Sequence, residues 1–273
     1  MSDGNANSSD VYSAGQPAGL SYVDVHCHCL PGLDDGPGSL PEAAGLCREL
    51  AQDGCRTVIA TPHQLGRFDG LNLPWQVREA VGRLNEALAA ERIPLAVVAG
   101  ADVRLDERLA ALLEADRILT LADGGRYLLA ELPDGVFLDL GPLITELSAR
   151  GVRLIISHPE RHPGLWQHVE AVRSWLEQGL LFQVTAGSLA GDFGPAVERA
   201  AWYYVQAGWA AMVATDAHNL KDRRPRMSRA FSLIAARCGP AQAQRLCVEN
   251  PQGILGGQEV ASAFGPGNRG KPE

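Results

Sequence analysis

The chain has 273 residues, of which 46% are hydrophobic and 21% are charged, and its formal net charge at pH 7 is -8. This length and composition predict one large globular α/β domain and exclude a chain that is disordered beyond its ends. The acidic balance argues against binding to nucleic acid or to an anionic membrane, because such surfaces need clustered cations.

The first 20 residues are predicted to be a disordered extension, because they are rich in Ser, Asn, Gly and Asp. They lack the cationic start and the apolar stretch of a secretory signal, and no later segment has the length of an apolar membrane span. The six cysteines are expected to stay reduced, since Cys27 and Cys29 are too close together on a predicted strand for a disulfide framework. We therefore expect a cytoplasmic protein without membrane insertion.

Short β-rich runs alternate with segments of helical periodicity from about Tyr22 onward. Seven runs predict strands: Tyr22 to His26, Thr57 to Ala60, Leu95 to Gly100, Tyr127 to Glu131, Val152 to Ile156, Leu180 to Val184 and Ala210 to Ala214. The first helix is predicted to begin at a capping box formed by Ser39 and Glu42. Seven such units without a glycine-rich nucleotide fingerprint favour a closed parallel barrel over a doubly wound sheet. The barrel is predicted over residues 21–256, with a flexible tail over residues 257–273.

Histidines and carboxylates occupy the ends of these predicted strands: Asp24, His26, His28, His63, Glu131, His158, Asp216 and His218. Side chains two apart on a strand share a face, so Asp24, His26 and His28 can converge. The carboxyl ends of the strands of a parallel barrel form one rim, where residues distant in sequence share a pocket. His162 and His168 instead fall in the helical stretch after the fifth strand, and we expect them to be surface or supporting residues.

Imidazole and carboxylate ligands together suit Zn, Mn or Fe, whereas a purely oxygen site would favour Mg or Ca. The number of these side chains exceeds what one open zinc site requires, which predicts two or three divalent ions with Glu131 placed to bridge them. Asp34 and Asp35 lie in a turn just after His28 and are further candidates for the same site.

Other catalytic schemes lack their residues. None of the six cysteines is followed by arginine at the sixth position, which excludes a cysteine phosphatase, and the Gly-x-Ser-x-Gly elbow of serine hydrolases is absent. The only lysines are Lys221 and Lys271, and neither lies on a predicted barrel strand where a carbamylated lysine could bridge two metals.

Five segments resemble, in order and spacing, the signature of the polymerase and histidinol phosphatase (PHP) superfamily. They are Asp24-Val25-His26-Cys27-His28, Leu33-Asp34-Asp35-Gly36, Ala60-Thr61-Pro62-His63, Ser157-His158-Pro159-Glu160-Arg161 and Thr215-Asp216-Ala217-His218-Asn219. The resemblance runs from about Tyr22 to Ile254. Within the superfamily, the chain resembles more specifically the bacterial protein-tyrosine phosphatases tied to capsule and exopolysaccharide synthesis. It implies a distorted TIM-like (βα)7 barrel of the PHP type and up to three metal ions, commonly Mn²⁺, with Fe, Co or Zn as alternatives.

The resemblance also implies roles for individual residues. The expected metal ligands are His26, His28, Asp34, His63, Asp102, Glu131, His158, Asp216 and His218. Arg161 and Arg223 match the arginines that hold the phosphate. The chain departs from the family pattern at Asp102, where a glutamate is usual, so that one ligand is shorter by a methylene group; Gln64 after His63 also differs.

These residues support a hypothesis of phosphotyrosine hydrolysis by a metal-activated hydroxide that attacks phosphorus in line with the leaving tyrosyl oxygen. Arg161 and Arg223 would stabilise the charge on the non-bridging oxygens, and Asp35 or His218 could protonate the leaving group. The expected substrate is a phosphotyrosine protein, of which a bacterial tyrosine kinase of capsule synthesis is the main candidate.

Three alternatives stay open at this point. The same residues could serve a phosphatase of small molecules such as histidinol phosphate, a sugar phosphate or a nucleotide. The chain could be an inactive module with structural metals, although Arg161 and Arg223 argue against it. Exonuclease activity, as in polymerase-attached relatives, is disfavoured by the acidic charge. The sequence leaves the oligomeric state open.

Overall fold

The computed structural model describes residues 21–133 and 135–260. The extension predicted over residues 1–20 lies outside the described residues, as does the part of the predicted tail from residue 261 onward. No helix in the described part of the chain combines the length and the apolar character needed to cross a membrane.

Parallel strands form the centre of the described fold. The strands are β1 Tyr22–Cys27, β2 Cys55–Ala60, β3 His63–Gln64, β4 Ala96–Ala99, β5 Asp102–Arg104, β6 Tyr127–Glu131, β7 Arg153–Ser157, β8 Leu181–Thr185 and β9 Ala210–Ala214. They pair as two sheets with the orders β1-β2-β4 and β3-β5-β6-β7-β8-β9, and every pair is parallel. Because β3 continues the course of β2 and β5 continues that of β4, nine short strands occupy seven positions.

The circle closes between β1 and the segment after β9. Cys27 forms a parallel bridge with Ala217, and the Asp216 amide donates to the His26 carbonyl at 2.8 Å. The predicted (βα)7 barrel and all seven predicted strand positions are confirmed. The breaks that separate β2 from β3 and β4 from β5 are the distortion of this barrel.

Helices follow the strands and cover the outside of the barrel. They are α1 Leu40–Gln52, α2 Pro74–Ala90, α3 Leu109–Glu114, α4 Gly141–Ser148, α5 Val169–Glu177, α6 Ala186–Leu189, α7 Pro195–Gln206, α8 Met227–Cys238, α9 Pro240–Gln244 and α10 Asn250–Leu255. The predicted start of α1 is correct, but the capping box is wrong. Ser39 makes no side-chain cap, and Glu42 accepts a hydrogen bond from the Gly38 amide at 2.8 Å instead.

The alternation of side chains along the strands positions the polar residues. Leu129, Ile155 and Leu181 pack in a cluster inside the barrel, whereas their neighbours in sequence pack outward against the helices. Side chains two residues further along each strand share the inward face. Glu131, Ser157 and Gln183 therefore rise from the inner apolar cluster to the carboxyl-terminal mouth. The six cysteines form no disulfide among the described residues.

Candidate active site

The candidate ligands come together at the carboxyl-terminal mouth of the barrel. They form four overlapping groups whose ligand atoms lie within 4.8 Å of one another: His26, His28 and Asp102; His26, His158 and Asp216; His28, Asp35, His63 and His218; and His63, Asp102 and Glu131. Every ligand expected from the sequence belongs to at least one group, except Asp34. Several members are shared, so the groups describe one connected centre.

Three histidines have one ring nitrogen held by an acceptor behind the centre. His26 Nδ1 lies 2.7 Å from Gln183 Oε1, His28 Nδ1 lies 2.6 Å from Asp34 Oδ2, and His218 Nδ1 lies 3.0 Å from the Asp216 carbonyl oxygen. Each acceptor favours the tautomer with the proton on Nδ1. The Nε2 lone pair then points into the centre, which is the usual arrangement of a metal-binding histidine.

Four buried atoms that face the centre have no hydrogen-bond partner among the described residues: His63 Nδ1, Asp102 Oδ2, Asp216 Oδ1 and His218 Nε2. Buried polar atoms are nearly always satisfied, so a set of them on converging side chains needs an explanation. Divalent cations provide one, because imidazole nitrogen and carboxylate oxygen are their ligands. The donor set therefore fits a metal centre with more than one ion.

Asp102 occupies the middle of the centre. Its Oδ2 atom lies 3.6 Å from His26 Nε2, 3.7 Å from His63 Nδ1 and 3.9 Å from His158 Nε2. Asp102 belongs to two of the four groups, whereas Glu131, the bridge suggested by the sequence, belongs to one. The geometry makes Asp102 the better candidate to bridge two cations.

A close backbone approach explains how the shorter Asp102 side chain reaches this position. A Cβ atom added to Gly100 would lie 2.6 Å from Ile59 Cγ2 and 3.3 Å from the Ala60 carbonyl oxygen. The absence of a side chain at Gly100 thus lets the chain between β4 and β5 lie against β2. The Asp102 amide then donates to the Pro62 carbonyl at 3.3 Å.

Burial favours the neutral form of three imidazoles of the centre. It lowers the pKa of His26 to about 3 and that of His28 to about 4, and it holds the pKa of His158 well below its ordinary value. Neutral imidazole is the form that coordinates a metal, so these groups need lose no proton at pH 7.

Two buried carboxylates of the centre have pKa values shifted in opposite directions. Burial, followed by the neighbouring charge of Glu131, raises the pKa of Asp102 well above its ordinary value. Burial alone would also raise the pKa of Asp216, but Arg161 and His26 outweigh it and hold that pKa well below the usual range. Cations at the mouth would offset the repulsion between these acids.

Two candidate ligands have strained backbones. His158 and Asp216 adopt positive φ angles of 35° and 52° without being glycine. Such conformations cost free energy and persist where the surroundings enforce them, often at functional sites. Here they turn the side chains inward directly after β7 and β9.

Asp34 and Asp35 have different positions. Asp34 Oδ2 accepts from His28 and from the His63 amide, and Oδ1 accepts from the Gly36 amide. Asp34 thus lies behind His28 and outside all four groups, because its oxygens are already engaged. Asp35 faces the centre instead, with Oδ1 3.4 Å from His218 Nε2 and 3.7 Å from His63 Nε2.

Arg161 and Arg223 lie together beside the centre. Their Nη2 atoms contact Asp216 Oδ2 at 2.7 Å and 2.5 Å, and the Nε atom of each is buried without a hydrogen-bond partner among the described residues. Both arginines line a cavity of about 210 Å³ together with His63, Glu131 and His158. We call this the arginine cavity. Guanidinium groups that line a cavity suit an anionic ligand.

Several residues around the site were missed or given no role from the sequence. Gln183 and Thr185 support His26 and Arg161, and Glu160 accepts from the Thr185 amide at 3.0 Å and from Ser188 Oγ at 2.7 Å. The available signal was a polar residue inside an apolar strand, Gln183 between Phe182 and Val184. The two remaining histidines lie outside the four groups: His162 bonds the Pro133 carbonyl, and His168 stacks on Phe137.

Several large apolar side chains are exposed in the segments that connect strands to helices. Among the described residues they are Leu40, Leu71, Trp75, Val136, Leu138, Trp166 and Leu220. Each lies in a segment that follows the carboxyl end of a strand or at the start of the helix that such a segment enters. These exposed side chains thus belong to connections that follow the strand ends.

Comparisons with known proteins agree with this geometry. The family model described as capsular polysaccharide synthesis, CpsB/CapC, matches residues 22–256. The tyrosine-protein phosphatase YwqE of Bacillus subtilis (strain 168) is 34% identical over 241 residues, which cover 87% of this chain and 93% of that protein.

Solved structures give the same result. One solved structure comes from the pair YwqE of Bacillus subtilis and CpsB of Streptococcus pneumoniae, which are described as metal-dependent tyrosine phosphatases. It aligns with this chain with a TM-score of 0.83 and 34% identity. The alignment covers 88% of this chain and 96% of that one. The phosphotriesterase homology protein from Escherichia coli aligns with a TM-score of 0.55 at 14% identity over 88% of this chain and 99% of that one, a similarity of fold alone.

Proposed function

This chain belongs to the capsular polysaccharide synthesis family CpsB/CapC, and we propose on that basis that it is a metal-dependent protein-tyrosine phosphatase. One observation carries the proposal beyond family membership. The unpartnered nitrogen and oxygen atoms of the candidate metal centre lie beside a cavity that the guanidinium groups of Arg161 and Arg223 line. Such a site can hold cations and an anionic phosphoryl group next to each other.

We propose that the cations are held by His26, His28, Asp35, His63, Asp102, Glu131, His158, Asp216 and His218. Asp35, and not Asp34 as expected from the sequence, is the proposed ligand from this turn. Asp34 instead orients His28. When bound, the cations supply Lewis-acid stabilisation of the phosphoryl oxygens and an activated water as nucleophile. We propose Mn²⁺ as the metal because of the PHP resemblance and the mixed nitrogen and oxygen donors.

The two arginines bind and orient the phosphoryl group. Asp216 holds both guanidinium groups, and Thr185 Oγ1 accepts from Arg161 at 3.0 Å. Donors fixed in this way need no rearrangement as charge develops on the non-bridging oxygens. Glu160 secures the turn that carries Arg161, because it bonds Thr185 and Ser188. Protonation of the leaving oxygen by Asp35 or His218 stays a prediction, and it competes with the role of both residues as proposed metal ligands.

The exposed apolar surface favours a protein substrate over a small metabolite. The apolar side chains exposed after the strand ends offer contacts to a protein substrate, whereas a small phosphate ester would contact the cavities alone. We propose a tyrosine kinase of capsule or exopolysaccharide synthesis as the substrate protein. The cytoplasmic location expected from the sequence agrees with the six free thiols and stays a prediction.

The test compares hydrolysis of a phosphotyrosine peptide and of histidinol phosphate by protein loaded with Mn²⁺. We expect a higher kcat/KM for the peptide and loss of activity on chelation. In Arg161→Ala, kcat/KM should fall by about 100-fold, as for the loss of one preorganised donor, while elemental analysis finds the metal content unchanged. Full activity of Arg161→Ala would remove Arg161 from the site, and preference for histidinol phosphate would favour the small-molecule alternative.

A further inference from the structure

A second cavity adjoins the candidate centre on the side away from Arg161 and Arg223. Its volume is about 330 Å³, and it is lined by His63, Leu65, Gly66, Arg67, Phe68, Arg104 and Glu131. We call it the aromatic cavity. The arginine cavity and the aromatic cavity share His63 and Glu131 on their walls. The candidate centre therefore lies between two spaces of different chemistry.

Phe68 supplies the aromatic wall. Its ring stacks on the imidazole of His63 with a centroid distance of 5.6 Å and an interplanar angle of 15°. The guanidinium group of Arg67 covers Phe68 at 4.7 Å from the ring centroid. Phe68 is half-buried, so part of the ring stays available to a ligand.

The loop that carries Phe68 is held by hydrogen bonds. Gln64 Nε2 donates to the Asn72 carbonyl at 2.6 Å, and Asn72 Nδ2 donates to the carbonyls of His63 and Leu33 at 2.9 Å. Gln64 Oε1 also accepts from the Leu119 amide at 2.9 Å. Gln64 thus fixes both ends of this loop. A wall fixed before binding loses less conformational entropy when a ligand packs on it.

Arg104 forms another wall of the cavity. Its Nη1 atom lies 3.2 Å from Glu131 Oε1, and its side-chain stem packs so closely on Gly66 that a Cβ atom there would lie 2.9 Å from Arg104 Cγ. The carbon atoms of this stem, together with Leu65 and Phe68, give the cavity apolar surface beside the centre.

We propose that the aromatic cavity binds the tyrosyl ring of the substrate and that Phe68 determines specificity for aryl over alkyl phosphate esters. This inference rests on the proposed function. A phosphotyrosine side chain has an anionic end and an aromatic end joined at the ester oxygen. With the phosphoryl group at Arg161 and Arg223, the ring extends past His63 and Glu131 into the aromatic cavity. A phosphoserine side chain has no group that reaches Phe68.

Hydrolysis and binding test the inference together. In Phe68→Ala, kcat/KM for a phosphotyrosine peptide should fall by about 10- to 100-fold, from lost stacking and apolar burial. The kcat/KM for glycerol phosphate should stay within about twofold of wild type. Phe68→Tyr should restore the aryl preference. Phe137→Ala is the matched control, because Phe137 stacks on His168 and Trp175 and lines neither cavity.

Calorimetric titration with phenylphosphonate and methylphosphonate separates this inference from the proposed function. Wild-type protein loaded with Mn²⁺ should bind phenylphosphonate more tightly, and Phe68→Ala should lose that difference. If Phe68→Ala loses affinity equally for both phosphonates, or kcat/KM equally for both esters, Phe68 acts only by supporting His63. If Phe68→Ala loses neither, the tyrosyl ring binds elsewhere. Either result overturns the inference. Wild-type protein that retains the binding difference but hydrolyses no phosphotyrosine peptide would overturn the proposed function alone.

Discussion

At the scale of single residues, two buried aspartates that each lie two residues before a histidine of the candidate centre have opposite surroundings. Asp216 faces Arg161, Arg223 and the candidate centre. Asp24 faces none of the four groups, although the sequence suggested that it converges with His26 and His28. Its carboxylate accepts from the Thr215 amide at 2.9 Å and from the Thr215 hydroxyl. Burial raises the pKa of Asp24 to about 7.

Asp24 therefore gives a pH-dependent prediction. Its pKa is higher in the folded protein than the ordinary value of 3.8, so the stability linked to its protonation is complete below pH 3.8 and is lost as pH rises to about 7. Asparagine keeps the geometry and cannot titrate. Between pH 5 and pH 7, the free energy of unfolding of wild type should fall relative to Asp24→Asn by about 1.4 kcal/mol for each pH unit. Urea denaturation of metal-free protein at several pH values measures this difference.

The control is Asp222→Asn, because the Asp222 side chain is exposed to water. Its free energy of unfolding should follow that of wild type across the same pH range. Parallel curves for wild type and Asp24→Asn would contradict the prediction and would mean that Asp24 is ionised in the folded protein over the whole range.

At the scale of elements, the break between β4 and β5 connects packing with the site. Gly100 lies in this break, and Asp102 begins β5 two residues later. In Gly100→Ala, the added Cβ would meet Ile59 Cγ2 at 2.6 Å, and Ile59 is fully buried. We expect a loss of about 1–3 kcal/mol in the free energy of unfolding from overpacking. Metal content should also fall, because the strand that carries Asp102 must move.

Gly82→Ala is the matched control. Gly82 lies on the exposed side of α2, and a Cβ atom there meets nothing within 4 Å. Alanine inside a helix should raise the free energy of unfolding by up to about 1 kcal/mol and leave the metal content unchanged. Urea denaturation and elemental analysis of both variants give the two readouts. Wild-type stability and metal content in Gly100→Ala would show that β4 and β5 are not tightly confined.

The elements themselves were predictable to different degrees. Local patterns predict the seven strand positions, because short apolar runs and helical periodicity are properties of neighbouring residues. The same patterns fail for β3 and β5, which contain only two and three residues and depend on pairing between distant segments. The capping box failed because Glu42 had a nearer partner at Gly38.

The site shows the same limit. The ends of the strands and the family resemblance identify the convergent histidines. They do not distinguish Asp34 from Asp35, because that difference depends on which of two adjacent carboxylates turns toward His28 Nδ1. They also miss Gln183, whose contact with His26 joins residues 157 positions apart. The choice of Asp102 over Glu131 as a bridge likewise depends on the close approach at Gly100.

At the scale of the whole molecule, the barrel brings together side chains from almost its entire length. Closure between β1 and the segment after β9 joins His26 to Asp216 and His28 to Ala217 through backbone hydrogen bonds. The intervening strands supply the remaining candidate ligands from the same end. Carboxylates and imidazoles meet at this mouth, and Arg161 and Arg223 lie beside them.

Anomalous diffraction from crystals grown with Mn²⁺ tests most directly whether cations bind at this mouth. We expect two or three anomalous peaks, each within coordination distance of His, Asp or Glu side chains of the four groups, with Asp102 contacting two of them. The absence of anomalous density between these side chains, or manganese bound only elsewhere on the protein, would contradict the account.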